Sequence, residues 1–485
     1  MATAENQAGG APAPGSTELY YYEKIYPKKI TGRFRSIKTW LNSLLLAIFF
    51  IGPWIRWDRG PNAPDQAIFI DMNGRKAYFF FIEIWPQEVY YLTGLLVIAA
   101  IVLFFATALL GRVWCGFACF QTVFTDVFVA IERAIEGDRN ARLRLDKSKF
   151  THEKFTKKLA KNSAWLGVSF CVGMGFVLYF FDAPWVAIPA ILAFQTDLAP
   201  WGTIAVVGGG CFVMAGYARE QVCIYMCPYA RFQAAMMDEE SMIVTYEQWR
   251  GEPRTRPKGK NPAGEGEGDC IDCGLCVQVC PTGVDIRKGN QLACIGCGLC
   301  IDACNQIMDR FDRPGELITY DSVTNQNARA EGSDKRVRWL RPRTWVYTGI
   351  LTVVCLIMAV SLFTRDRTEI NVIQERSPLY VQLGNGDIRN GYTFKILNME
   401  RVDTDFTLTT TGVEGATMNV LSLGDEAATE AVLPVVGDTV GTFRIYVSAP
   451  KSALDGRSTD LAFIVTNPNT GEVIEHHVLF AGPSE

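Results

Sequence analysis

The stretch Cys270-Ile-Asp-Cys273-Gly-Leu-Cys276-Val-Gln-Val-Cys280-Pro281 returns, with the same cysteine spacing, as Cys294-Ile-Gly-Cys297-Gly-Leu-Cys300-Ile-Asp-Ala-Cys304-Asn305. Each run reads C-x2-C-x2-C-x3-C. Three cysteines so spaced wrap a tight loop around three irons of a cubane, and the fourth reaches the other cluster. The pattern groups Cys270, Cys273, Cys276 and Cys304 on one 4Fe-4S cluster, and Cys280, Cys294, Cys297 and Cys300 on a second. Gly274 and Gly298 let the backbone pass close to inorganic sulfide. A structural zinc site prefers two CxxC pairs, not eight cysteines in this order. Two clusters held this way make an electron relay in a small α+β ferredoxin module.

Outward from that module, Gly251–Gly268 is polar and rich in Pro and Gly, which predicts a flexible tether. Beyond it on both sides lie apolar stretches. Five are long enough for a bilayer, which needs about 17–25 residues: Thr39–Trp57, Val89–Gly111, Ala164–Phe181, Trp201–Tyr217 and Thr344–Phe363. Residues 1–19 are Ala/Gly/Pro-rich and read as disordered, with no apolar core of a cleaved signal peptide. Lysines and arginines fix the direction. Lys24, Lys28, Lys29, Arg33, Arg35 and Lys38 precede the first span, and nine more basic residues from Arg139 to Lys161 follow the second. The N-terminus and the ferredoxin module are therefore expected in the cytoplasm. The loops at 58–88 and 182–200 and everything after Phe363 are expected outside.

Composition agrees. The chain has 485 residues, 49% of them apolar and only 20% charged, with mean hydropathy +0.10. A net charge of -4 leaves no basic surface for nucleic acid. All fifteen cysteines fall in spans or on the expected inner side, where thiols stay reduced. The expected organisation is a multi-domain membrane protein. A partly disordered cytoplasmic segment (1–38) leads into an α-helical transmembrane region (39–250). The two-cluster module (251–343), a last span (344–363) and an outer all-β domain (364–485) follow.

Two further cysteine pairs flank the membrane. Trp114-Cys115-Gly-Phe-Ala-Cys119-Phe120 follows the second span, and Val222-Cys223-Ile-Tyr-Met-Cys227-Pro228 follows the fourth. On a helix, i and i+4 share a face, so each C-x3-C pair can aim two sulfurs at one ion. After the first pair, Phe120, Phe124, Val127, Ile131 and Ile135 form a stripe opposite Gln121, Thr125, Asp126 and Glu132. That predicts a helix lying in the interface. The repeated unit is thus two spans, a cysteine pair and an amphipathic helix, and pseudo-symmetric packing would gather up to four thiolates. Such a site suits Cu(I), zinc or Fe–S over hard ions. The single cysteines Cys171, Cys211 and Cys355 read as packing residues.

Other chemistry is missing. None of the three histidines (His152, His476, His477) lies in a span, so histidine-ligated haem b is not expected there, and there is no CxxCH. No nucleotide-binding glycine motif occurs, and the glycines at 208–210 read as close helix packing. A donor protein, a quinol or a small reductant must bring the electrons. Residues 365–485 carry about seven strand-like runs: Leu379–Leu383, Tyr392–Asn398, Phe406–Thr410, Ala431–Val436, Gly441–Val447, Leu461–Thr466 and Val473–Phe480. Turn residues separate them, which predicts an immunoglobulin-like sandwich serving as a binding or assembly platform.

Together these residues resemble the CcoG family (also FixG or RdxA), accessory proteins of cbb3-type cytochrome c oxidase assembly. The resemblance rests on the doubled C-x3-C elements, the two-cluster run, the last span, and an outer domain with Tyr380-Val-Gln-Leu and Arg389-Asn-Gly-Tyr392. It implies a multi-pass protein of the bacterial cytoplasmic membrane with a periplasmic C-terminal domain. It implies reduction of Cu(II) to Cu(I), with Cys115, Cys119, Cys223 and Cys227 as the copper-handling, catalytic residues. Copper would be substrate or bound ion. Partners would be an unknown electron donor, oxidase assembly factors or a copper chaperone or transporter, and a second copy of the chain in a homodimer. The family's pairs are commonly followed by proline, as at Cys227-Pro228; here Phe120 follows Cys119. Two rival readings stand beside this one: a quinol-linked membrane polyferredoxin, and a non-enzymatic assembly scaffold.

Overall fold

A computed structural model describes residues 24–60, 63–254, 266–333, 338–424, 427–454 and 456–483. The 1–19 segment and the middle of the 251–268 tether lie outside the described residues. The chain divides into two compact units, Met1–Phe50, Val97–Val177 and Thr196–Leu351 in one, and Ile51–Leu96, Leu178–Gln195 and Thr352–Glu485 in the other.

Five helical stretches are long and apolar enough to cross a membrane: Arg33–Trp54, Pro86–Leu110, Val113–Glu136, Ala199–Tyr217 and Pro342–Phe363. Four correspond to expected spans. The expected span at Ala164–Phe181 is not among them. A helix does run there, His152–Val177, but it opens with lysines and is thinned by Gly167, Gly173 and Gly175. The stretch Val113–Glu136 takes its place by length and composition. It is two helices, Val113–Phe117 and Phe120–Glu136, with an extended Cys119 between them.

The Phe120–Glu136 helix also corrects the expected stripe. Its buried face includes Gln121, Glu132 and Glu136, because inward charges are met there. Glu132 takes Arg142 at 3.0 Å and Arg219 at 2.9 Å, and Glu136 takes Lys158 at 2.9 Å. Phe120 is 70% exposed. Trp165 stacks on Phe128 at 5.3 Å beneath this network. The neighbouring pair His152–Val177 and Ala199–Cys211 packs through small residues. A Cβ on Gly208 would lie 2.7 Å from the Ser169 carbonyl, and one on Gly173 2.8 Å from that of Ile204. Gly209 and Gly210 face open space, so only the first of the three glycines serves the expected packing. Among the single cysteines, Cys211 packs beside Phe128 and Trp165, whereas Cys171 and Cys355 are exposed on their helices.

The ferredoxin module in this unit has helices Leu275–Val279 and Leu299–Arg310. It is closed by an antiparallel pair of strands, Ile243–Tyr246 against Ile318–Asp321.

The second unit is led by a sandwich of antiparallel sheets. One orders Thr417–Val420, Thr439–Ala449, Ile388–Asn398 and Thr368–Gln374, with Val381–Gln382 also on Ile388–Asn398. The other orders Glu430–Val435, Thr404–Thr411, Ser458–Thr466 and Val473–Ala481. Phe394, Phe406, Phe463 and Phe480, fully buried, fill the space between. All seven expected runs contain a strand, although Leu379–Leu383 holds only the two-residue Val381–Gln382; Thr368–Gln374 and Thr417–Val420 are additional. The Asn390–Tyr392 signature ties the sheets, since Asn390 donates to the Ala481 carbonyl and Tyr392 to that of Leu479, each at 2.9 Å. The 58–88 loop holds an unexpected three-stranded sheet, Ile68–Asp71, Lys76–Phe79 and Ile82–Ile84. Lys76 of that sheet pairs with Asp438 at 2.7 Å.

Candidate iron–sulfur relay and membrane-edge thiols

Cys270, Cys273, Cys276 and Cys304 line one cavity. Cys280, Cys294, Cys297 and Cys300 line a second, with Cys276 on its wall as well. These are the two groups that the crossed spacing puts together. Gly274 and Gly298 have φ of +64° and +70° and open the two short helices, a conformation that side chains rarely adopt. The Gly296 amide donates to the Cys294 sulfur and the Leu299 amide to that of Cys297. Such donors suit sulfur ligands that carry charge. Burial pushes the Cys276, Cys294 and Cys304 thiols up to about 12, so a metal must displace the proton at each. The cavities, the positive-φ glycines and the N–H···S bonds fit two cubanes.

The cavities differ in their cover. Cys273 is exposed, whereas Cys297 is buried. Over the second cavity runs an N-terminal strap. The Phe34 ring sits on Gly298, so that a Cβ there would meet it at 2.6 Å, and Ile25 sits on Gly283. Phe34 also approaches Tyr320 at 5.6 Å. The Phe34 and Arg35 amides donate to Asp302 at 3.2 and 2.8 Å. Lys38, 2% exposed, acts electrostatically on Cys297.

The membrane-edge cysteines gather beside this second cavity. Cys115 interacts electrostatically with Cys119, Cys223 and Cys227, and Cys223 with Cys119 and Cys227. Cys115 and Cys223 pack on the Val279, Ile295 and Cys297 cluster. Neither pair lies on one continuous helix, which corrects the i, i+4 reading. Cys119 and Cys227 are extended residues (φ -61°, ψ 128° and φ -79°, ψ 111°), each capping the next helix. Pro228 forbids helix at the residue before it. The first pair reaches the same geometry without proline. In both, the second cysteine's amide closes back five residues, Cys119 to Trp114 at 2.9 Å and Cys227 to Val222 at 2.8 Å.

Around the thiols stand residues that the spacing did not single out. The Arg112 guanidinium donates to the Cys294 carbonyl at 3.0 Å and to the carbonyls of Leu292 and Ala230. Fully buried Gln233 accepts from the Cys115 thiol at 3.3 Å. A lone arginine in the apolar flank of Cys115 was the available signal for the first; nothing local marked the second. Among the described residues, no three His, Cys, Asp or Glu side chains converge closely enough to enclose a single metal ion.

The chain is similar to known proteins throughout. Residues 218–323 match a family described as a 4Fe-4S dicluster domain, residues 92–136 a 4Fe-4S binding domain, and residues 358–483 the IG-like fold at the C-terminus of FixG. It is 44% identical to protein RdxB of Cereibacter sphaeroides, over 97% of this chain and 99% of that one. It is 41% identical to the nitrogen fixation protein FixG of Rhizobium meliloti, over 93% and 91%. It is 43% identical to protein RdxA of Cereibacter sphaeroides, over 90% and 92%. The chain is therefore an iron–sulfur protein that belongs to the family of FixG, RdxA and RdxB.

Proposed function

We propose that this protein carries electrons through two cytoplasmic 4Fe-4S clusters to Cu(II) at Cys115, Cys119, Cys223 and Cys227, and that the Cu(I) formed serves assembly of a cbb3-type oxidase. The observation that carries the reading is the packing of Cys115 and Cys223 on the loop that bears Cys297. It brings sulfur ligands for a soft cation against a one-electron donor. Iron–sulfur clusters span potentials from about -700 to +450 mV, and at the low end of that range transfer to Cu(II) is downhill. Thiolates then favour the Cu(I) product.

The direction of entry is read from exposure. Exposed Cys273 makes the first cluster the entry, and covered Cys297 makes the second the exit. The orientation proposed is cytoplasmic for the clusters and periplasmic for the sandwich. It is supported by the way segments 51–96, 178–195 and 352–485 gather in one unit. On this reading His152–Val177 crosses and Phe120–Glu136 stays at the inner face, since crossing there would send the basic Arg139–Lys161 segment outside. The test is to replace the four membrane-edge cysteines by serine, verify eight irons, and measure Cu(II) reduction. Loss of reduction with full clusters is expected; unchanged rates would refute the reading.

A second reading is favoured by one observation, the match of residues 92–136, with Cys115 and Cys119, to a 4Fe-4S binding domain. There the four thiols hold a third cluster in a quinol-linked conduit. Twelve irons and twelve sulfides per chain, in place of eight, would establish it.

A further inference from the structure

Resting on the proposed transfer to the membrane-edge thiols, we infer that Gly116 is the positioning residue that couples the second cluster to them. Gly116 follows Cys115 in the short Val113–Phe117 helix and is buried. A Cβ built on it would lie 2.9 Å from the Cys297 Cα, 2.9 Å from the Ile295 carbonyl oxygen and 3.0 Å from the Cys297 nitrogen. All three are backbone atoms, so no side chain can swing aside. The opposing backbone is itself fixed by Gly296 and Gly298 at φ +66° and +70°. Glycine is required here by close approach, not by its own φ.

The contact has a consequence for electron flow. From a cubane on Cys297, the route runs through that residue's own bonds to its Cα. It makes one van der Waals step to Gly116, then follows the peptide to Cys115. Arg112 clamps the same junction, with one guanidinium nitrogen on the Leu292 and Cys294 carbonyls and the other on that of Ala230. In the step itself one electron leaves the reduced second cluster and one Cu(II) becomes Cu(I). No bond within the chain is made or broken, and dithionite supplies the electron in the experiment below.

The experiment uses the full-length holoprotein in detergent under anaerobic conditions. Clusters are reduced with dithionite, excess reductant is removed, and reoxidation is followed optically with either Cu(II) or ferricyanide. Ferricyanide can take electrons at the exposed Cys273 side. Gly116→Ala is expected to slow reoxidation by Cu(II) by about tenfold or more, since misplacing a reacting pair by about 1 Å can cost up to about a hundredfold. Ferricyanide reoxidation and iron content stay unchanged. Amide hydrogen exchange in residues 294–298 is expected to rise, a readout independent of transfer. A merely structural role would slow both acceptors alike, and that result, or no change with either, overturns the inference. Should Gly116→Ala fail to hold clusters, Arg112→Gln, which opens the same junction without adding an atom, is measured the same way and decides by the same acceptor split. The four-serine variant separates the two ideas. If it loses Cu(II) reduction while Gly116→Ala and Arg112→Gln do not, the coupling role falls and the proposed function stands. If it keeps Cu(II) reduction, the proposed function falls.

Discussion

The two cluster cavities are built from the same eleven-residue pattern and are treated differently by the rest of the chain. The first has an exposed ligand, Cys273. The second is roofed by a strap more than 250 residues distant in sequence and walled by the membrane-edge turn. A local motif can hold a cluster but cannot decide where its electrons go. That is decided by what covers it. On the proposed relay, two cradles of one pattern become an entry and an exit through long-range packing.

The largest effects should come from unequal ligand losses. Cys297→Ser is expected to bring Cu(II) reduction to background while the first cluster's EPR signal persists. Cys273→Ser should leave a residual rate when a small reductant feeds the second cluster directly. Equal residual rates would remove the order of the relay. Next is the roof. Phe34 is half-buried on Gly298 and beside Tyr320. Phe34→Ala is expected to destabilise by about 2 kcal/mol, below the range for a fully buried phenylalanine. Chelators should then strip the second cluster faster and the first at an unchanged rate. Iron release resolved by EPR checks this.

These differences mark the limit of what the sequence could tell. Cubane ligation was legible because cysteine spacing alone sets it, and the sandwich because alternation and turns are local. The roof was not: Gly32 lies against Asp302 and Phe34 against Gly298, with no signature in either segment. The doubled C-x3-C elements pointed to four thiols, but the i, i+4 geometry was misassigned because Cys119 leaves the helix without a proline to announce it. The stripe on Phe120–Glu136 was legible, but which side faced inward depended on Arg142, Lys161 and Arg219 arriving from elsewhere. Thr368–Gln374 was missed because charged Glu369 breaks the apolar run at the edge of its sheet.

The strap's anchorage predicts a pH effect. Asp146 accepts from Lys24 at 3.0 Å and Tyr26 at 2.5 Å, and pairs with Lys158 at 2.6 Å. Although burial opposes its charge, these partners hold its carboxyl well below the usual range. A carboxyl with a depressed folded value contributes stability above its unfolded value, near 3.9, and loses it as pH falls further. The strap should therefore loosen below about pH 4, and the second cluster should become the more labile in acid. Asp146→Asn should reproduce part of this at neutral pH, at roughly 1 kcal/mol for half-exposed pairs. Limited proteolysis after Lys28 and Lys29 would report the release; no change in cleavage would detach Asp146 from the roof.

The smallest expected effect is on potentials, and it sharpens the comparison most. Each cluster has cations near it, Lys38 beside Cys297 and Arg112 beside Cys294 at the second, Arg287 beside Cys276 and Arg250 beside Cys304 at the first, where Arg250 is paired with Glu247 and Asp269. The Arg287 charge is spent on two carboxylates, Asp285 at 2.8 Å and Asp272 at 2.6 Å. Lys38 is buried, and the carboxylate it acts on, Asp126, is already held by Arg35 at 2.7 Å. The net positive field is thus larger at the second cluster, where it favours the reduced, more negative cubane. Lys38→Gln should lower the second cluster's potential by tens of millivolts, and Arg287→Gln should move the first by less. The sign matters for the relay. A cation at the exit pulls electrons inward from the exposed entry, so Lys38→Gln should also retain the electron on the first cluster after partial reduction. Redox-poised EPR on the two variants reads both quantities. Equal shifts would mean that the two cradles differ only in their access to solvent.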